Sequence, residues 1–127
     1  MVLSKLQGNI WLDNEMVPWQ EAKVHVLTHT LHYGVGVFEG VRAYETPTGT
    51  AIFRLEDHTE RLLKSAKVVN IHIPYTANEL NLAQKETVKD NQLSEAYIRP
   101  MVFYGAESMG LRADDLKVHT MIAAWDW

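Results

Sequence analysis

The residue pattern predicts an α+β domain: an antiparallel sheet with two main helices packed on one side. Short runs of alternating apolar and polar residues, bounded by turn formers, occupy both ends of the chain. Two helix-periodic segments lie together between them, Leu55 to Val69 and Thr76 to about Asn91. Strands grouped at the two ends of the chain around two adjacent helices are the pattern of an α+β domain. The 127 residues suit one domain, and a chain of that size buries about two thirds of its unfolded surface.

Each element has its own signal. Gly8 to Leu12 is a short strand, Asp13-Asn14 a tight turn, and Met16-Val17 the return, because Asp and Asn tolerate positive φ and bond their own backbone. Lys23 to Leu27 is extended or irregular. Thr28 is placed to cap a short helical turn that ends at Gly34. Val37 to Tyr44 and Ala51 to Arg54 are strand-like and joined through Thr46-Pro47-Thr48-Gly49, a hairpin. Leu55, Thr59, Leu62, Ala66 and Val69 recur at three- and four-residue steps and form one helical stripe. Pro74 ends that segment. Thr76 and Glu79 then have capping-box spacing, and the next helix carries a thin stripe of Ala77, Leu80, Ala83 and Val88. Glu95 to Tyr104 and Leu116 to Trp125 are the closing strands.

Composition narrows the function classes. Net charge is −4 with no Lys/Arg-rich run, which argues against a nucleic-acid binder working by bulk charge. Cysteine is absent, which excludes disulfides, thiol catalysis and Cys-based zinc sites. No apolar run approaches the roughly 20 residues of a membrane span. Residues 1–20 also lack the apolar segment of a signal peptide. A cytoplasmic protein with no membrane partner is the expectation. The chain ends in Met121 to Trp127 with no polar tail. Either the last strand docks in the core, or a second domain is expected after it.

Several constellations could carry chemistry. His25, His29 and His32 would share a narrow arc on an ideal helix and so form a metal face, but Val24-His25-Val26 alternates like a strand and no carboxylate stands beside them. His58, His72 and His119 show no grouping. Gly-x-Ser-x-Gly is missing. Glu56-Asp57 and Asp114-Asp115 read as solvated or turn residues rather than a catalytic pair. Gly34-Val35-Gly36 fits neither phosphate-loop fingerprint. Arg61 lies off the apolar stripe near His58 and Ser65, where an exposed ion pair with Asp57 is the simplest expectation.

The most informative pattern is Tyr97-Ile98-Arg99. With a period of two, Tyr97, Arg99, Met101 and Phe103 share one face, and Ala96, Ile98, Val102 and Tyr104 share the other, a normal core face. A buried Arg needs an anion, so the first face should meet a carboxylate from the protein or from a ligand, unless the arginine is a surface one. Phe38, Gly40, Arg42 and Tyr44 form a second amphipathic strand face of the kind that lines pockets.

These blocks resemble a known family. Tyr33-Gly34 … Phe38-Glu39-Gly40-Val41-Arg42, Phe53-Arg54, His58, Arg61-Leu62, Ser65-Ala66-Lys67, Ala96-Tyr97-Ile98-Arg99-Pro100, Met109-Gly110 and Ile122-Ala123-Ala124 are similar to the branched-chain amino-acid aminotransferases. These belong to the class IV pyridoxal-phosphate enzymes. The likeness implies that residues 1–127 are the family's small N-terminal domain, with the catalytic C-terminal domain and its Schiff-base lysine outside this sequence. None of Lys5, Lys23, Lys64, Lys67, Lys85, Lys89 or Lys117 matches that lysine, so the chain alone is expected to be inactive.

The resemblance also implies roles. Arg61 would contact the phosphate of pyridoxal 5'-phosphate. Phe38 and Trp127 would wall the pocket for an aliphatic side chain, with the Gly40 backbone alongside. Tyr97 would lie near the substrate α-carboxylate, and Arg99 would accept the distal carboxylate of glutamate. Tyr33, Met109 and Leu111 would reach a neighbouring subunit's site, which implies a dimer. Substrates would be leucine, isoleucine or valine with 2-oxoglutarate, in branched-chain amino-acid biosynthesis. Other class IV enzymes (a D-amino-acid transaminase or aminodeoxychorismate lyase) and a free-standing binding domain are the alternative expectations.

Overall fold

A computed structural model describes all 127 residues, Met1–Trp127. Seven strands form one antiparallel sheet: β1 (Asn9–Leu12), β2 (Glu15–Pro18), β3 (Gly36–Phe38), β4 (Val41–Thr46), β5 (Gly49–Ile52), β6 (Ala96–Tyr104) and β7 (Val118–Trp125). The helices are α1 (His29–Tyr33), α2 (Leu55–Val68) and α3 (Ala77–Asp90). The strand order is β2-β1-β7-β6-β4-β5, with β3 also on β6. Helix α3 packs against β1, β6 and β7, and α2 packs against β3. The α+β class with two main helices on one face is therefore what the chain adopts. No helix is long and apolar enough to cross a membrane.

The helix-facing core combines two clusters. Trp11, Val41, Ala43, Ile98, Ile122 and Ala124 meet Ala83 and Val88 of α3. Val37, Val102 and Tyr104 meet Leu62 and Ala66 of α2 and Leu80 of α3. Alternation along β6 is nearly complete: Ala96, Ile98, Pro100, Val102 and Tyr104 are buried, while Tyr97, Arg99 and Met101 are half-buried on the opposite face. Phe103 departs from the pattern because the His119 ring covers it, 5.3 Å away centroid to centroid.

The run from Val37 to Tyr44 is not one strand. It splits into β3 and β4 around Glu39-Gly40, yet both halves keep one register on β6, with Phe38 opposite Met101 and Val41 opposite Ile98. The gap lies opposite Pro100, which has no N–H to give to the ladder. The Pro100 carbonyl still accepts from Glu39 N at 3.0 Å. Side-chain parity therefore survives the break. Phe38, Gly40 and Arg42 fall on the open face, and Val37, Glu39 and Val41 fall on the helix face.

Other boundaries shift for identifiable reasons. Thr76 caps α3 as its spacing predicts: its Oγ1 accepts from Glu79 N at 3.1 Å. Thr28 precedes α1 but makes no side-chain cap bond, because its hydroxyl donates to the His25 carbonyl instead. Gly34 closes α1 in the left-handed conformation (φ 72°). Arg54 ends no strand; it is itself left-handed (φ 52°) and turns the chain from β5 into α2. Val69 and Ala77 lie outside the buried stripes, and Gln84 and Thr87 complete the buried face of α3.

Candidate functional site

The open face of β6 places Tyr97 and Arg99 side by side, away from the helices. Arg99 Nη2 donates to the Tyr97 hydroxyl at 2.7 Å, and the guanidinium lies over the Phe38 ring, 4.2 Å from its centroid. Arg99 Nε is buried and has no acceptor. None of the chain's ion pairs involves Arg99. A desolvated N–H with no acceptor costs about 1–3 kcal/mol, so the arrangement favours an incoming anion.

Apolar and aromatic surface frames this cation. Tyr97 packs against Trp125 at 4.9 Å and Trp127 at 4.8 Å between ring centroids. Phe38 is 57% exposed and Trp127 65%, so both present uncovered ring surface. Gly40 completes the wall by having no side chain. A Cβ there would collide with the Tyr97 hydroxyl. Arg42 joins the same face, where its guanidinium lies over the Tyr44 ring at 5.5 Å. The sequence-predicted residues Phe38, Gly40, Tyr97, Arg99 and Trp127 thus form one neighbourhood.

Arg61 is on α2, on the other side of the sheet break. The expected pair with Asp57 does not form, because Asp57 takes Arg54 at 2.7 Å. Arg61 instead grips Glu39 through both Nε (2.7 Å) and Nη2 (2.8 Å). His58 is not ungrouped either, since its Nδ1 lies 3.0 Å from the same carboxylate. Glu39 is 5% exposed. The guanidinium of Arg61, foremost, and the His58 ring hold the Glu39 carboxyl below the usual carboxylate range, against burial that pushes it up. The same bond raises Arg61 above its ordinary value. Reasoning from the sequence missed Glu39 as a site residue. Its parity with Val37 and Val41 was the available signal, because a carboxylate on a helix-facing position requires a cationic partner.

Tyr33, Met109 and Leu111 gather elsewhere. The Tyr33 hydroxyl accepts from Gly110 N at 3.0 Å, and His29 Nε2 lies 2.7 Å from the Gly110 carbonyl. A carbonyl only accepts, so His29 carries its proton on Nε2. Met109 and Leu111 are 49% and 86% exposed on this tether. The His29 ring also packs edge-on to Tyr104, at the end of β6 remote from Tyr97. At about 3.3 Å per strand residue, those two ends are roughly 23 Å apart. The tether and the Arg99 cluster therefore do not converge within one chain.

His25, His32 and His119 serve the backbone and a turn. His25 Nδ1 accepts from Leu27 N at 3.0 Å, and His32 Nε2 lies 2.8 Å from the Val26 carbonyl. His119, read as ungrouped in the sequence, pairs with Asp13 at 2.6 Å and so fastens the β1–β2 turn to β7. All seven lysines are at least partly exposed.

Comparison with known proteins bears on this arrangement. The family profile described as amino-transferase class IV matches residues 36–127. The branched-chain-amino-acid aminotransferase of Pseudomonas aeruginosa is 61% identical over 127 residues, which are 100% of this chain and 41% of that protein. The enzyme of the same name from Escherichia coli K12 is 41% identical over 125 residues, 98% of this chain and 40% of that protein. Among solved structures, Escherichia coli branched-chain amino acid aminotransferase superimposes with a TM-score of 0.93 at 40% identity, covering 96% of this chain and 40% of that one. The branched-chain aminotransferase of the archaeon Thermoproteus uzoniensis, solved with norvaline, gives 0.89 at 44% identity, covering 94% and 40%. The chain spans about two fifths of the length of the curated relatives it matches. With the profile covering the whole stretch from β3 to Trp127, through both the Arg99 neighbourhood and the Glu39–Arg61 pair, the chain belongs to the class IV aminotransferases.

Proposed function

We propose that this chain is the small N-terminal domain of a cytoplasmic, pyridoxal-phosphate-dependent transaminase that moves the amino group of leucine, isoleucine or valine to 2-oxoglutarate. The observation that carries the reading is Arg99. It is a guanidinium without a carboxylate partner, with a buried, unpaired Nε, set into an otherwise aromatic and apolar wall. Such a pocket suits two alternating substrates. An aliphatic side chain packs on Phe38, Trp127 and the Gly40 backbone, and the distal carboxylate of glutamate meets the cation. Tyr97 stands beside both, placed for the α-carboxylate.

The cofactor fits the donors present. Pyridoxal 5'-phosphate, when bound, supplies the carbonyl and electron sink through which an amino group passes. Arg61 would hold its phosphate, because a guanidinium that uses Nε and one Nη2 hydrogen on Glu39 retains three N–H donors. All seven lysines are exposed, and with none matching the family's Schiff-base lysine, this reading puts the reactive amine in a larger C-terminal domain and leaves the chain alone without turnover. Tyr33, Met109 and Leu111, remote from Arg99, serve the site of a second subunit, and the working form is a dimer. Supporting the substrate class are the names of these relatives, both branched-chain aminotransferases.

Arg99→Ala in the full-length protein tests this reading. The expected result is a loss in kcat/KM for glutamate of roughly 10- to 100-fold, the scale of a charge-assisted contact, with a far smaller loss for leucine. Equal losses for both substrates overturn the assignment of Arg99.

A further inference from the structure

Glu39 occupies a position that the pocket reading does not use. It sits at the β3–β4 break, directed to α2, between Phe38 and Gly40 on the other face. Its carboxylate is buried and takes three contacts: Arg61 Nε at 2.7 Å, Arg61 Nη2 at 2.8 Å and His58 Nδ1 at 3.0 Å. His58 and Arg61 are three apart on α2 and so rise from one face of the helix. The Arg61 side chain is 67% exposed, so its arm is held by this fork rather than by core packing.

The geometry of the fork decides which donors remain. Engagement through Nε and Nη2 occupies the side edge of the guanidinium. Of the free hydrogens, one on Nη1 and one on Nη2 lie side by side at its outer end, and the second on Nη1 faces back beside Cδ. A planar group pinned along one edge presents that outer end in a fixed direction, and a tetrahedral dianion accepts two parallel N–H bonds from it.

We propose that Glu39 is a positioning residue that aims the outer edge of Arg61 at the cofactor phosphate, with His58 steadying the carboxylate from the same helix face. The proposal rests on the reading of Arg61 as the phosphate contact. It adds a cause for the direction of that contact and ties it to the strand break that also carries Phe38 and Gly40.

Titrating the full-length apoprotein with pyridoxal 5'-phosphate and, separately, with pyridoxal tests it, because pyridoxal lacks the phosphate. Glu39→Gln is expected to weaken pyridoxal phosphate about 10-fold or more, the scale of a lost charge-assisted bond, and to leave pyridoxal within about 2-fold. In an Arg61→Ala background the same substitution should add nothing, as two residues acting through one contact require. A loss shared equally by pyridoxal overturns the positioning role, as does full additivity with Arg61→Ala. If Arg61→Ala itself leaves pyridoxal phosphate affinity unchanged, the phosphate reading of Arg61 fails, and the proposal fails with it. A normal Glu39→Gln beside a weakened Arg61→Ala defeats only the proposal. Where Glu39→Gln does not fold, Glu39→Asp replaces it. Its shorter arm reaches one of the two Arg61 donors, so the same phosphate-selective loss is expected, and an unselective loss counts against the idea.

Discussion

The guanidinium of Arg99 lies over the Phe38 ring, 4.2 Å from its centroid, and this pair joins the central strand β6 to its short neighbour β3. The stack orients the cation without neutralising it, and Tyr97 holds one end. Lysine keeps the charge but has neither the plane nor the fork. In the full-length protein, Arg99→Lys is therefore expected to lose roughly 10-fold or more in kcat/KM for glutamate while leucine stays within about 3-fold, measured by steady-state kinetics. Glutamate activity equal to that of the parent would show that charge alone suffices.

Gly40 is constrained by contact, because a methyl group there occupies the space of the Tyr97 hydroxyl. Gly40→Ala is expected to displace Tyr97, break its bond to Arg99 and cost about 1–3 kcal/mol, the usual range for overpacking. Urea denaturation of the 127-residue chain measures the cost. Combining it with Tyr97→Phe, which removes the clashing oxygen, should recover part of the loss. A double variant no more stable than Gly40→Ala alone would mean that the strain lies in the backbone.

Much of this is legible in the sequence. Period-two alternation from Ala96 to Tyr104 assigns Tyr97 and Arg99 to the face away from the core, where they stand. The Thr76–Glu79 spacing locates the start of α3. Such local signals depend on neighbours in the chain, and they survive folding. The break at Glu39-Gly40 is hidden because its cause, Pro100, lies on another strand. For the same reason sequence reasoning pairs Arg61 with nearby Asp57, whereas its partner Glu39 comes from the β3–β4 break, 22 positions away in the chain. His119 finds Asp13 in the same way, across a separation of 106 residues. Partners distant in sequence follow from topology, which alternation and capping do not encode.

The cap on α3 is a separable contribution to stability. Thr76 Oγ1 accepts from Glu79 N, and its hydroxyl donates to the Glu79 carboxylate, both at 3.1 Å. Removing it with Thr76→Ala leaves an N–H of the first turn without its partner. The expected loss is about 1 kcal/mol, read from the urea midpoint with an unchanged slope. Thr28→Ala provides the contrast, since Thr28 makes no cap bond and any loss there reports its hydrogen bond to His25 together with its buried methyl group.

Acid should weaken the Glu39 cluster. Arg61 above all, and then His58, hold the Glu39 carboxyl below its ordinary value, despite the opposing pull of burial. A carboxylate whose folded value is depressed binds fewer protons in the folded state than in the unfolded one. Its contribution is therefore complete above the unfolded value, about 4.3 for Glu, and disappears as pH falls through the lower folded value. Wild type should lose stability on acidification below about pH 5 more steeply than Glu39→Gln, which has no charge to lose. The stability gap between the two chains should be widest near neutrality and narrow as acid is added, followed by urea midpoints at each pH. A gap that stays constant over that range would mean that Glu39 contributes shape and hydrogen bonding but no charge, and that Arg61 is held by geometry alone.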